Sequence, residues 1–138
     1  MRLLLDTNII LDFYEEREPF LDAAEQILRE CAEGSHTGLV SASSMTDIYF
    51  LLSRSLNKDV AIDCVRKLLD MMEVAEVNGS DLHRAVASNM PDFEDAVVAF
   101  CAKRAKVDYI ITRNKPDFEQ SPIPSLTPDE FLALDIPE

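Results

Sequence analysis

The chain has 138 residues, 47% hydrophobic and 28% charged with three glycines, which describes one ordinary folded domain and excludes a disordered chain. Its 26 acidic side chains against 13 basic ones give a net charge of −13, which argues against nucleic-acid binding through bulk charge. No apolar run approaches the length of a membrane span, no signal-peptide pattern precedes the first strand, and Cys31, Cys64 and Cys101 form no C-x-x-C pair. A reducing cytoplasm is the expected location.

Leu3-Leu4-Leu5 is apolar without alternation, which predicts a strand buried on both faces of a parallel sheet. Asp6 stops that run, and Thr7-Asn8 leads into a helix through Ile9, Ile10, Leu11 and Phe13. After the polar break at residues 15–19, Phe20, Ala23, Ala24, Ile27, Leu28 and Cys31 repeat at helical spacing up to Gly34. Residues 37–40 predict a second strand, and Ser41 to Ser44 open a helix with Met45, Ile48, Tyr49, Leu51 and Leu52. Asn57 is a candidate cap for a helix with Val60, Ile62, Val65, Leu68, Leu69 and Met72 inside. Residues 74–77 predict a third strand, and Ser80 is the candidate cap of the helix after it.

Pro91 punctuates the chain, and Asp92-Phe93-Glu94-Asp95 starts a helix with apolar positions Phe93, Ala96, Val97, Phe100 and Cys101. A fourth strand is predicted over 107–112, a loop over 113–118 and a short last strand over 123–126. Thr127-Pro128-Asp129-Glu130 reads as a capping box with proline at the first helical position. Strands alternating with helices predict a single α/β domain over residues 1–138 with a mostly parallel sheet.

Acidic or amide side chains fall repeatedly at the edges of these elements. Asp6 ends the first strand, Asp47 lies early in the helix after the second, Asp92 and Asp95 open a later helix on one face, and Asn114 follows the fourth strand with Asp117 in the same loop. In a parallel sheet the strand ends and following helix starts share one edge, so these positions can converge. Convergent carboxylates with oxygen-only donors suit Mg²⁺ or Mn²⁺. Each position also has a purely structural reading. Asp6 and Asp92 can cap helices, Asp47 can close a capping box with Ser44, and Asn114 can serve a turn. Four such coincidences along one edge form the weaker account. His36 and His83 have no ligand spacing and read as surface or loop residues. No Ser-His-Asp arrangement or glycine-rich phosphate loop is visible.

The stretches LLLDTNIILD at residues 3–12 and DFEDAVVAFCAKRAKVDYIITRN at 92–114, with KPDF after them, resemble PIN-domain ribonucleases of the small bacterial VapC-type toxin kind. The resemblance covers nearly the whole chain. It implies a three-layer α/β/α fold with strand order 3-2-1-4-5 and Mg²⁺- or Mn²⁺-dependent cleavage of single-stranded RNA. The family's first aspartate falls on Asp6 and its helix-start aspartate on Asp95. Its second acidic position, usually Glu, falls on Asp47, one methylene shorter. Its fourth falls near Asn114, an amide here, with Asp117 three residues later. Thr7, Asn8 and Thr112 would orient ligands or bound water. Asp12 and Asp92 are possible outer helpers, otherwise surface or capping residues. A cognate antitoxin and a homodimer are implied as well.

The expected chemistry is metal-assisted phosphodiester hydrolysis with the ion on Asp6, Asp95 and Asp47 and without a side-chain nucleophile. RNA would approach across Arg113, Lys115 and the Lys103-Arg104-Lys106 group, which can also serve the helix dipole. The alternative is a catalytically silent PIN-like module that binds RNA or protein. A haloacid-dehalogenase-type phosphatase would want an acidic residue where Asn8 stands, and a response-regulator receiver would want a phosphorylated Asp after the third strand, where Val77-Asn78-Gly79 stands.

Overall fold

A computed structural model describes residues 1–134, so residues 135–138 of the expected domain lie outside the described residues. Five parallel strands, β1 (Arg2–Leu5), β2 (Thr37–Ser41), β3 (Glu73–Ala75), β4 (Tyr109–Ile111) and β5 (Ser125–Leu126), form one sheet in the order β3-β2-β1-β4-β5. The central strand is β1, as its unbroken leucine run requires. Leu3 and Leu5 point into one core and Leu4 into the other, and all three are fully buried. The first core is covered by α1 (Thr7–Tyr14), α2 (Leu21–Ala32), α3 (Ala42–Ser55) and α4 (Lys58–Met71), with Phe131 of α7 (Pro128–Leu132) completing it. The second is covered by α5 (Gly79–Ala87) and α6 (Phe93–Arg104). The result is a three-layer α/β/α fold.

Local chemistry explains the element starts. Ser41 caps α3 by accepting from the Ser44 backbone N–H at 3.1 Å, and Asn57 caps α4 by accepting from the Val60 N–H at 2.8 Å. Thr127 and Glu130 form the expected capping box of α7 with Pro128 inside it. Three expectations are corrected. The cap of α5 is Asn78, which exchanges hydrogen bonds with Asp81 in a capping box, and Ser80 lies inside the helix. Asp47 closes no box with Ser44, because α3 begins earlier, at Ser41. Helix α4 buries the face of Ala61, Cys64 and Leu68, which follow each other at three and four residues, and leaves Val60, Ile62 and Leu69 exposed.

Strands β3 and β5 are shorter than expected, and the 113–118 loop contains a 3-10 turn over Lys115–Phe118. Gly38 in β2 is required by packing, since a Cβ there would collide with Met72 Sδ and Cys31 Sγ from the layer above. Helix α6 is covered on nearly all sides: Ala96, Val97, Val98, Ala99, Cys101 and Ala102 are all buried. Its run of small residues lets it lie close against the sheet and fixes where its first turn projects. His83 is exposed on α5, and His36 lies between α2 and β2 with its ring edge-on to Phe131.

Candidate functional site

The carboxyl end of β1 delivers Asp6 to the sheet edge. Its backbone N–H still donates to the Ile111 carbonyl of β4 at 2.9 Å, so the residue is held by the sheet while its side chain turns out of it. Asp6 Oδ1 accepts from the Thr7 N–H at 2.9 Å, the capping bond of α1. Oδ2 accepts from Thr112 Oγ1 at 2.8 Å and from Asn8 Nδ2 at 3.3 Å. Capping and site membership therefore coexist in one side chain. Thr112 is fully buried, and its hydroxyl also accepts the Asn114 N–H at 3.0 Å, tying the loop after β4 to the Asp6 carboxylate.

Asp95 reaches the same place from the first turn of α6. Asp92 caps that helix by accepting from the Asp95 N–H at 2.9 Å, which sets the start of the helix and with it the position of Asp95. Asp6 and Asp95 both line two adjoining clefts, of about 270 and 410 Å³, together with Thr7, Asp47 and Glu94. Asn114 and Asn8 line the second. The sheet edge thus brings together Asp6, Asp47, Asp95 and Asn114. Glu94 joins them as well, and its signal in the sequence is its place inside the Asp92–Asp95 acidic string.

The electrostatics show crowded negative charge. Burial pushes the Asp6 carboxyl above its ordinary range, against the hydrogen bonds from Thr112 and Thr7, and the Asp117 charge pushes the same way. Asp95 is raised to about 7, first by burial, then by the charges of Asp6, Asp92, Asp117 and Glu94. Among the described residues neither carboxylate has a basic side chain within ion-pair distance.

Such a set fits a divalent cation by its chemistry: every donor is an oxygen, and the two inner carboxylates lack a counter-charge. Among the described residues no three His, Cys, Asp or Glu side chains are gathered into a ready-made ligand group. A partly hydrated ion, as Mg²⁺ prefers, matches this openness better than a protein-enclosed one.

Arg113 takes a different place from the one on a substrate path. Its guanidinium grips Asp12 twice, at 2.7 and 3.0 Å, and lies 4.1 Å from the centre of the Phe20 ring. Asp12 is fully buried, so it is neither a surface nor a capping residue. Arg104 likewise binds the buried Asp81 of α5 through Nε and Nη2. Lys115 reaches Glu130 at 3.0 Å.

A five-stranded parallel sheet in this order, with acidic side chains gathered beyond the carboxyl end of its central strand, defines an α/β domain with a candidate site at the sheet edge. The chain belongs to the PIN domain family, whose model matches residues 2–116. It is 24% identical over 135 residues to ribonuclease VapC1 of Aquifex aeolicus (strain VF5), covering 94% of this chain and 92% of that protein. In fold it is similar to VapBC2 from Rickettsia felis bound to a promoter DNA fragment, with a TM-score of 0.71 and 17% identity over 92% of this chain and 98% of that one. It is also similar to a toxin–antitoxin complex from Klebsiella pneumoniae, with a TM-score of 0.69 and 22% identity over 91% and 97% of the two chains. The VapC20 toxin of Mycobacterium tuberculosis, which cleaves the sarcin–ricin loop, gives a TM-score of 0.63 and 15% identity over 78% and 86%.

Proposed function

We propose that the chain is a metal-dependent endoribonuclease that hydrolyses phosphodiester bonds of single-stranded RNA, and that it acts as the toxin of a toxin–antitoxin pair. The carrying observation is the pair Asp6 and Asp95, buried and half-buried, without an ion pair, each raised by burial, and lining one cleft with Asp47. The VapC1 relative and the toxin–antitoxin neighbours support the substrate class and an antitoxin partner.

Asp6, Asp95 and Asp47 would hold Mg²⁺ or Mn²⁺, with the Asn114 amide as a neutral fourth oxygen. A bound ion of this kind lowers the pKa of a coordinated water and stabilises charge on the scissile phosphate. The remaining work falls to the chain itself. Thr112 and Asn8 fix the orientation of Asp6, so its carboxylate has no rotamer freedom to lose on ligation. Asp92 fixes the first turn of α6 and thereby Asp95. With its pKa raised to about 7, Asp95 holds a proton in part of the population at neutral pH, and a bound cation would favour its ionised form. Asp117 adds charge that favours a cation at this edge. A homodimer is part of the same proposal.

The test is cleavage of labelled single-stranded RNA by the purified chain with Mg²⁺, with Mn²⁺ and with EDTA. Metal-dependent cutting that disappears in Asp6→Asn and Asp95→Asn supports the reading. Absence of cutting over a range of RNAs, with measurable Mn²⁺ binding, would favour the silent RNA- or protein-binding module.

A further inference from the structure

The cleft around the carboxylates has a mixed lining. Asp6, Asp47 and Asp95 supply charge, and Val77, Leu82, Phe93, Val97 and Val98 supply apolar surface. Phe93, the first residue of α6, is 51% exposed, and Leu82 of α5, which lines the same cleft, is 43% exposed. A ligand that covers this ring beside the candidate phosphate site would gain its burial. Phe50 lines the neighbouring cleft, but the Arg54 guanidinium already lies over its ring at 5.6 Å. Among the described residues no aromatic ring or cation packs on Phe93.

We infer that Phe93, which shares its cleft with Leu82 and Val77, is a stacking platform for one unpaired RNA base next to the phosphate that a cation on Asp6 and Asp95 would hold. The inference rests on the RNA-directed reading above and deepens it. Charge supplies the second argument. At −13 the chain repels a polyanion, and the two cations of the loop after β4 are engaged, Arg113 with Asp12 and Lys115 with Glu130. Phosphate contacts from this surface are therefore few, and affinity must come from the metal end and from base stacking, which needs no charge. A stacked base also requires an unstacked strand, so the platform selects single-stranded over duplex RNA.

Phe93 is a positioning residue, so its test is binding as well as rate. Equilibrium binding of a fluorescein-labelled, phosphorothioate-linked single-stranded RNA would be followed by anisotropy in Mn²⁺, for wild type, Phe93→Ala and Phe93→Tyr. The same measurements would be made on a strand of equal length carrying abasic residues throughout. Substitution by alanine is expected to weaken binding about tenfold, in line with the loss of one base–aromatic stack. Tyrosine should restore it, and the abasic strand should bind all three proteins equally weakly. Equal binding of RNA by wild type and Phe93→Ala would overturn the inference, as would an equal loss on the abasic strand, or no RNA binding by wild type. Cleavage is scored separately: a chain that binds through Phe93 but never cuts would sink the ribonuclease reading and leave the platform standing.

Discussion

Asp6 caps the start of α1 and Asp12 lies near its end, and the fold surrounds these two buried carboxylates in opposite ways. Asp12 is locked by Arg113 through two short hydrogen bonds, with Arg17 a further 3.9 Å neighbour. Asp81 repeats this pattern with Arg104. Burial pushes the Asp81 carboxyl up, but hydrogen bonds from Arg104 and the Asn78 backbone and the Arg104 charge outweigh it, and the group ends below its ordinary range. Asp6 accepts from a hydroxyl, an amide and a backbone N–H, Asp95 makes no side-chain hydrogen bond among the described residues, neither is ion-paired, and both are raised. A fold that needed the buried Asp6, Asp12 and Asp81 and the half-buried Asp95 only for stability would have paired all of them with cations. The unpaired two mark where the molecule keeps negative charge for something that arrives from outside.

The contrast predicts opposite consequences for the two kinds of aspartate. The largest effect is on activity. Asp6→Asn and Asp95→Asn should each lower RNA cleavage by about a thousandfold or more, since each removes a charge from the cation site and metal-derived stabilisation is worth several kcal/mol. Both variants should remain folded by circular dichroism. Unfolding of both would place these residues with Asp12 and dissolve the distinction.

Next in size is the paired set. Arg113→Met should destabilise the protein by about 3 kcal/mol in urea titration, because it leaves the Asp12 carboxylate buried and short of its main partner. Replacing both residues, Asp12→Leu with Arg113→Met, should recover part of that loss, as expected when a buried pair gives way to apolar groups. A single substitution without effect on stability would mean that Arg113 is free for other work, and the RNA path across it would regain its standing.

Acidity separates the two sets in a third way. The Asp95 carboxyl is raised in the folded state to about 7 from an ordinary 3.8, so between those values the folded chain binds more proton than the unfolded one. Its contribution to stability is therefore most favourable below about 4, declines as pH rises, and reaches its full penalty above about 7. In EDTA, wild type should gain stability relative to Asp95→Asn as pH falls from 8 to 5. Saturating Mg²⁺ should stabilise wild type more at pH 8 than at pH 5, since the ion and the proton compete. A stability difference between wild type and Asp95→Asn that stays level over this range would show that the carboxyl is not perturbed.

The sequence displays the site better than it displays the pairs. The Leu3–Leu5 run and the acidic residue that ends it share a local pattern, and parallel topology then forces the edge positions Asp47, Asp95 and Asn114 towards one another. The ion pairs are long-range facts. Asp12 and Arg113 are 101 positions apart, and nothing in the spacing of either tells of the other. Arg104 looks like ordinary charge at a helix end until α5 is packed beside α6, where Asp81 waits for it. Phe93 was legible only as an apolar residue. Helical periodicity puts it with Ala96, Val97 and Phe100, but as the first residue of α6 it is exposed and lines the cleft.

Asn114 gives the smallest and most discriminating test, because it is the one site position where the chain has an amide in place of a charge. Its backbone is already tied to Thr112 and so to Asp6, and its side chain lines the cleft. Asn114→Asp would add a like charge to an uncompensated cluster. Without metal the variant should be less stable by about 0.5–1 kcal/mol at pH 8, an exposed residue's share of Coulomb repulsion. With metal the sign reverses, because ligand charge count sets divalent affinity in oxygen sites, and Mn²⁺ should bind about tenfold more tightly. Isothermal titration with Mn²⁺ and urea unfolding in EDTA read the two halves independently. A cost without metal and a gain with it would place Asn114 in the cation's sphere. A cost in both conditions would place it at the rim, with Asp6, Asp95 and Asp47 the only charged donors the ion meets.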